Sequence, residues 1–167
     1  RGLWDVVCSL LDRIRNIGIT GMESTQRWAV EEACLRANDV VFSRVAGHCA
    51  NSQLNSVLTE AVTRGVWDVV CSLLDRIRNI GITGTESTQR WAVEEASERA
   101  RDDDFLKVCD RVSDSLNAVV IRSLCRRGFD RNASVRIRSI LKRHVPERIP
   151  SEIARMFVDF LSTHQNT

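Results

Sequence analysis

RGLWDVVCSLLDRIRNIGITGMESTQRWAVEEA, the sequence of residues 1–33, recurs at residues 64–96 with two changes. The changes are Leu3 against Val66 and Met22 against Thr85. We call the distance along the chain from Arg1 to Arg64 the repeat offset. Near-identical segments at a fixed offset are typical of repeat proteins, in which each unit buries its apolar face against the next. The sequence therefore predicts stacked structural units rather than one irregular core.

A shorter unit is expected inside this offset, because the distance from Arg1 to Arg64 is about twice the length of a common two-helix repeat. This shorter unit is marked by small or apolar residues that stand four positions before a Gly or Ala. These pairs are Ala33 with Ala37, Ala61 with Gly65, Ala96 with Ala100, and Leu124 with Gly128. The spacings predict alternating units of about 28 and about 35 residues.

Each unit carries the apolar spacing of two helices. The first helix is marked by Val57, Leu58, Ala61 and Val62, and the second by Trp67, Val70, Cys71, Leu74 and Ile77. Gly65 suits the end of the first helix, where a left-handed residue is common, and Asp68 suits the first turn of the second. The short connection predicts an antiparallel helical hairpin.

Glycines and Asn break the helical pattern in Arg-Asn-Ile-Gly-Ile-Thr-Gly, at residues 15–21 and 78–84, and predict a projecting loop in each copy. All four tryptophans lie in the duplicated segment, and their spacing favours packing between stacked units. The fold class predicted is all-α, a solenoid of stacked antiparallel helical hairpins that forms a single repeat domain over residues 1–167.

The C-terminal third departs from this plan. Residues 117–145 are predicted to form irregular basic units, and residues 151–162, with Ser151 as N-cap, a helix that caps the stack. The alternative for this last helix is binding to a partner.

The composition is that of a globular chain, with 43% hydrophobic and 28% charged residues, and no apolar run approaches the ~20 residues of a membrane span. The sequence begins without Met and without the apolar core of a signal peptide. We expect a fragment of an intracellular, cytoplasmic protein that does not contact membrane. The six cysteines include no Cys-x-x-Cys pair, so free and mostly buried thiols are predicted.

Charge is divided unevenly along the chain. Residues 1–110 hold 13 basic and 17 acidic side chains, and residues 111–167 hold 11 and 5. Nearly all of the basic residues are arginines, which suit bidentate contacts with carboxylates or phosphates. The candidate partner-binding residues are Arg122, Arg126, Arg127, Arg131, Arg138 and Lys142, together with Asn79, Ile80 and Ile82 of the 78–84 loop. A solvated basic face is the alternative.

The segment SVLTEAVTRGVWDVVCSLLDR, residues 56–76, resembles an ankyrin repeat, with matches at Leu58, Ala61, Gly65, Val69, Val70, Leu73 and Leu74. It departs from that family at residues 56–59, which replace the Thr-Pro-Leu-His turn, and in lacking a Gly-Ala-Asp loop after Leu74. The resemblance covers most of the chain but is specific in one and a half units. It implies a divergent ankyrin-like solenoid that binds proteins, with a generic α-solenoid as the alternative.

No motif for catalysis, phosphate binding or a paired metal site occurs in the sequence. His48 and Cys49 lack further zinc ligands nearby, and Asp102–Asp104 fits the acidic start of a helix better than a cation site. We therefore expect no enzyme activity, cofactor or metal.

The sequence favours a noncatalytic scaffold for protein–protein interaction, with an acidic protein as partner. Nucleic-acid binding through the basic C-terminal half is the first alternative, and a ubiquitin-ligase-type adaptor is the second. Self-association is also expected, since a face built to stack on its own copy can stack on another chain.

Overall fold

The computed structural model describes residues 2–18, 20–127 and 140. These residues form eight α-helices and two 3₁₀ helices, without any strand, which confirms the all-α class. The α-helices are α1 Gly2–Ile17, α2 Glu23–Arg36, α3 Asp39–Ala46, α4 Leu54–Arg64, α5 Trp67–Ile80, α6 Glu86–Arg99, α7 Asp102–Arg111 and α8 Asn117–Arg127. The 3₁₀ helices are Asn51–Gln53 and Asp114–Leu116.

The two helices predicted on either side of Gly65 are confirmed as α4 and α5. Gly65 ends α4 at φ 69°, in the left-handed region that glycine adopts without strain. Its N–H donates to Val62 O at 3.0 Å, and the N–H of Val66 donates to Ala61 O at 3.0 Å. These bonds supply donors to the last carbonyls of α4, so α5 begins after a short connection.

The predicted loops begin too early. Helix α5 continues to Ile80 and α1 to Ile17, so Asn79 and Ile80 lie in the last turn of a helix. Arg, Asn and Ile can all continue a helix, and the first residue to leave helical geometry is the glycine that follows, Gly81 at φ 70°.

The structure repeats at the same offset, from Arg1 to Arg64, also outside the near-identical segment. Equivalent helices begin at equivalent positions although their sequences differ: Asp39 and Asp102 open α3 and α7, Asn51 and Asp114 open the 3₁₀ helices, and Leu54 and Asn117 open α4 and α8. The repeating structural unit therefore spans the whole offset.

The chain divides into two compact units, Arg1–Asn79 and Ile80–Thr167. In the first unit, α2 packs against α3 and α4, and α1 packs against α3. In the second, α6 packs against α7 and α8. The single domain over 1–167 stays a prediction. The predicted capping helix at 151–162 and most of the basic region 117–145 lie outside the described residues.

Each unit buries its own apolar side chains. The first encloses Phe42, Leu54 and Leu58, and the second encloses Phe105, Leu106 and Ile121, all with at most 2% of their surface exposed. None of the six cysteines forms a disulfide and four are buried, as predicted. The sequence also predicts that the tryptophans pack between stacked units, and this is wrong for Trp28, whose surface is 59% exposed.

Candidate interaction surface on helix α8

The last residue of α8, Arg127, joins α8 to the end of α6. Its Nη1 donates to Ala96 O at 2.8 Å and to Ser97 O at 3.0 Å, and its Nη2 donates to the carbonyl of Ala100. A helix leaves its last carbonyls without helical donors. Arg127 therefore caps α6 through its side chain.

Two further contacts fix the same guanidinium group. Its Nε donates to Asp102 Oδ1 at 2.8 Å, and its central carbon lies 5.0 Å from the centre of the Phe105 ring, within cation–π range. Only 16% of the Arg127 side chain is exposed. A partner that bound Arg127 would have to compete with these contacts, so its main role in the described residues is to hold the second unit together.

The first unit contains an equivalent contact around Arg64, which occupies the position of Arg127 one repeat offset earlier. Arg64 donates to the carbonyls of Cys34 and Ala37 at the end of α2, and its central carbon lies 4.7 Å from the Phe42 ring centre. We call this arrangement the arginine clamp, meaning Arg64 or Arg127 with the carbonyls and ring it contacts. The Arg-Gly pairs at 1–2, 64–65 and 127–128 were the available sequence signal.

Beside the clamp, α4 and α8 differ at three neighbouring positions. Helix α4 has Thr59, Glu60 and Thr63, and the equivalent residues of α8 are Arg122, Ser123 and Arg126. Both threonines of α4 donate to a carbonyl in the preceding turn of the helix, at 2.9 Å, and Glu60 pairs with Arg64 at 2.6 Å. The exchange adds two guanidinium groups and removes one carboxylate, so this face of α8 gains positive charge.

Arg122 and Arg126 lie on one face of α8, four residues apart, and both are exposed. Among the residues that the structure describes, neither forms an ion pair or a hydrogen bond through its side chain. Arg126 borders a cleft of about 450 Å³. The cleft is lined by Glu94, Ser97, Glu98, Ser123, Arg126 and Arg127. It has guanidinium groups on its α8 side and carboxylates on its α6 side.

The other predicted partner-binding residues are placed elsewhere. Asn79 and Ile80 are exposed at the end of α5, and Ile82 is half-buried in the connection that follows. Of the predicted residues that the structure describes, it brings together the three arginines of α8. Arg131, Arg138 and Lys142 lie outside the described residues.

The acidic run Asp102–Asp104 opens α7, as the sequence predicted. Asp102 holds Arg127, as described above, and Asp104 is buried beside Lys107 Nζ at 3.0 Å and Arg101 Nε at 3.3 Å. Desolvation raises the pKa of Asp104, but hydrogen bonds and charge attraction from Lys107 and Arg101 outweigh it and lower the pKa. Asp102 and Asp104 therefore already have cationic partners within this chain.

His48 and Cys49 likewise have partners. His48 Nε2 lies 3.0 Å from Asp12 Oδ1, and Cys49 Sγ lies 3.4 Å from Arg76 Nη1. Across residues 2–18 and 20–127, no cluster of three or more His, Cys, Asp or Glu side chains is arranged to hold a metal ion. Within the same ranges, the helices are all too short or too polar to span a membrane.

Comparisons with known proteins add no relative to this picture. The chain matches no family model, no curated protein and no solved structure.

Proposed function

We propose that this protein is a noncatalytic scaffold that binds an acidic segment of another protein through Arg122 and Arg126. The observation that carries the proposal is the exchange between α4 and α8. Helices α4 and α8 occupy equivalent positions in their units, and each ends in the arginine of a clamp. On the side that faces solvent, α8 carries a pair of arginines that α4 lacks.

The chemistry of the face favours a carboxylate ligand. A guanidinium group offers a planar set of donors that matches a carboxylate, and two such groups four residues apart can engage two acidic side chains. The carboxylates of Glu94 and Glu98 on the other side of the cleft would repel a uniformly acidic ligand. We therefore expect the acidic residues to lie along α8, with a neutral or basic residue toward α6.

The proposed architecture is an ankyrin-like solenoid. The packing of α2 with α3 and α4, and of α6 with α7 and α8, supports this proposal, since neighbouring helices of a solenoid contact one another in this way. Asn79 and Ile80 at the end of α5, with Ile82 in the connection that follows, remain proposed as a second contact. The free thiols support a reducing compartment such as the cytoplasm.

The test is binding to the full chain of a fluorescein-labelled peptide of about ten residues, in which Asp and Glu alternate with neutral residues. We expect the double substitution Arg122→Thr with Arg126→Thr to weaken binding roughly tenfold, since two exposed charge pairs contribute together roughly 1–2 kcal/mol. Threonine is the residue that α4 carries at both positions, so the helix should tolerate the change. Binding should also weaken as salt rises.

Two controls make the test specific to this face. The substitutions Arg36→Thr with Arg90→Thr remove the same charge from α2 and α6 and should leave binding unchanged. Introducing Thr59→Arg and Thr63→Arg in α4 should restore peptide binding to the chain that lacks Arg122 and Arg126. Equal affinities of the unaltered chain and the Arg122→Thr, Arg126→Thr variant would contradict the proposal.

The exposed guanidinium pair also suits phosphates, which is the basis of the nucleic-acid alternative. A single-stranded RNA of about ten nucleotides, titrated under the same conditions, separates the two. Tighter binding of RNA than of the acidic peptide, lost in the same double variant, would favour the alternative.

A further inference from the structure

The cleft between α6 and α8 contains a serine whose side chain has no partner. The two helices lie side by side, since Arg127 at the end of α8 caps the end of α6. Ser123 lines the cleft with only 5% of its surface exposed. Within residues 2–18 and 20–127, its hydroxyl forms no hydrogen bond. A hydroxyl that is enclosed by protein and open to a cleft finds its hydrogen-bond partner in whatever enters that cleft.

The first unit shows what fills the equivalent space. The counterpart of Ser123 is Glu60 of α4, whose Oε1 accepts from Arg64 Nε at 2.6 Å. A carboxylate of this chain therefore lies beside the first clamp. In the second unit, the Nε of Arg127 pairs with Asp102, and the shorter serine leaves the space open. The cleft of about 450 Å³ lies at this place and has the size of a ligand pocket.

Two donors of α8 can hold a carboxylate that enters from outside. Ser123 and Arg126 are three residues apart, so they lie on one face of the helix. The hydroxyl offers one donor, and the exposed guanidinium group of Arg126 offers several. A carboxylate has two oxygens and can accept from both groups at once. The α8 side of the cleft therefore suits one acidic side chain.

The α6 side of the cleft suits a cation. Glu94 and Glu98 are four residues apart, and both are exposed. Neither forms an ion pair among the residues that the structure describes. The counterpart of Glu98 in α2 is Leu35, so the pair of carboxylates belongs to the second unit alone. A ligand that carries only negative charge is repelled here, whereas a neighbouring basic side chain is attracted.

We propose that this cleft binds a protein segment through two side chains of opposite charge. The acidic side chain takes the place that Glu60 fills in the first unit and accepts from Ser123 and Arg126. The basic side chain lies against Glu94 and Glu98. Nucleic acid fits this cleft less well, since its backbone carries phosphates without cations. The inference rests on the proposed function, because it names the kind of acidic segment that α8 binds.

The first experiment compares two fluorescein-labelled peptides in their binding to the full chain. One is the peptide described above, with neutral residues between its acidic residues, and in the other two of these neutral residues are lysines. The lysine peptide should bind roughly fivefold tighter at low salt, because it gains two exposed charge pairs. Glu94→Gln with Glu98→Gln should make the two affinities equal. The control, Glu31→Gln with Glu86→Gln, removes two other exposed carboxylates and should keep the preference.

The second experiment closes the space beside Ser123. Ser123→Gln introduces a neutral side chain with the shape of Glu60, which the equivalent position of α4 accommodates. It should remove the preference for the lysine peptide, because the acidic side chain can no longer enter. Ser123→Ala keeps the space but removes the hydroxyl and should weaken the lysine peptide about fivefold. Ser72→Gln, on the exposed side of α5, is the control and should bind like the unaltered chain.

The outcomes separate this inference from the proposed function. If Arg122→Thr with Arg126→Thr leaves both affinities unchanged, the proposed function and this inference are both overturned. If that variant weakens binding, the proposed function stands. Equal affinities of the two peptides for the unaltered chain, or a preference that survives both Ser123→Gln and the Glu94, Glu98 double variant, then overturn the mixed-charge site alone.

Discussion

Helices α1 and α5 have the same sequence over their shared length, residues 4–17 and 67–80, yet they are buried to different extents. Val6 and Leu10 are more than half exposed, while Val69 and Leu73 are nearly enclosed. Both sequences form a helix, because apolar spacing and propensity act locally. Burial depends on which elements lie beside the helix, and this information is not contained in the helix itself.

The segments that follow show the opposite relation. Residues 34–63 and 97–126 share few identical positions, but they form equivalent helices, and each is followed by an arginine that caps a preceding helix. The positions that keep their chemistry include the arginine, the aromatic ring beneath it and the aspartate that pairs with it, Asp39 or Asp102. Surface positions between them have diverged, as Thr59 and Arg122 illustrate. The clamp therefore preserves the unit while its exposed face changes.

The largest expected effect is a difference in stability between variants at Leu10 and at Leu73, which occupy the same position in the two copies. Leu73→Ala should lower the free energy of unfolding by about 2–4 kcal/mol, because it opens a cavity in a packed interior. Leu10→Ala should lower it by less than about 1 kcal/mol, measured where the chain is monomeric. Urea denaturation of both variants provides the comparison. Equal losses would show that α1 and α5 are buried alike in solution.

The next effect concerns the arginine clamp. Arg64→Lys and Arg127→Lys should each lower the free energy of unfolding by about 2 kcal/mol, since an ammonium group cannot reach several carbonyls and cover a ring at once. Arg126→Lys, one residue from the clamp, should have almost no effect because its side chain is exposed. Hydrogen exchange at the ends of α2 and α6 would locate the loss. If Arg127→Lys and Arg126→Lys had the same effect, the capping role would be refuted.

The helices and the burial of most cysteines outside disulfides were predictable from the sequence, whereas the arginine clamp was not. Val57, Ala61 and Gly65 show local periodicity and a helix end, which are short-range signals. Arg127 lies among many arginines, and nothing local distinguishes the one that folds back onto α6 from those that face solvent. Its contacts join residues about 25 to 31 apart. Only its recurrence one repeat offset after Arg64 carried a signal.

The smallest expected effect concerns the rate of cysteine alkylation on the buried face of α1 and α5. Cys8 and Cys71 occupy equivalent positions on the inner side of α1 and α5, and both are buried, at 1% and 6% exposure. Alkylation by iodoacetamide at pH 8, followed by mass spectrometry of the peptides, should therefore label both slowly and at similar rates. Cys34 and Cys125, which are half-buried, should react sooner.

The alkylation rate should also depend on pH, in a direction that follows from the raised pKa values of the thiols. Burial raises the pKa of Cys8, Cys34 and Cys125, and the thiolate is the reactive form, so labelling of the native chain at pH 8 should be slower than that of the unfolded chain. Raising the pH to about 9.5 should accelerate it, because more of each thiol is then ionised. Fast labelling of Cys8 with slow labelling of Cys71 would show that the inner face of α1 also opens to solvent. The difference between the copies would then extend beyond the exposed side chains of Val6 and Leu10 to the packing of α1 itself.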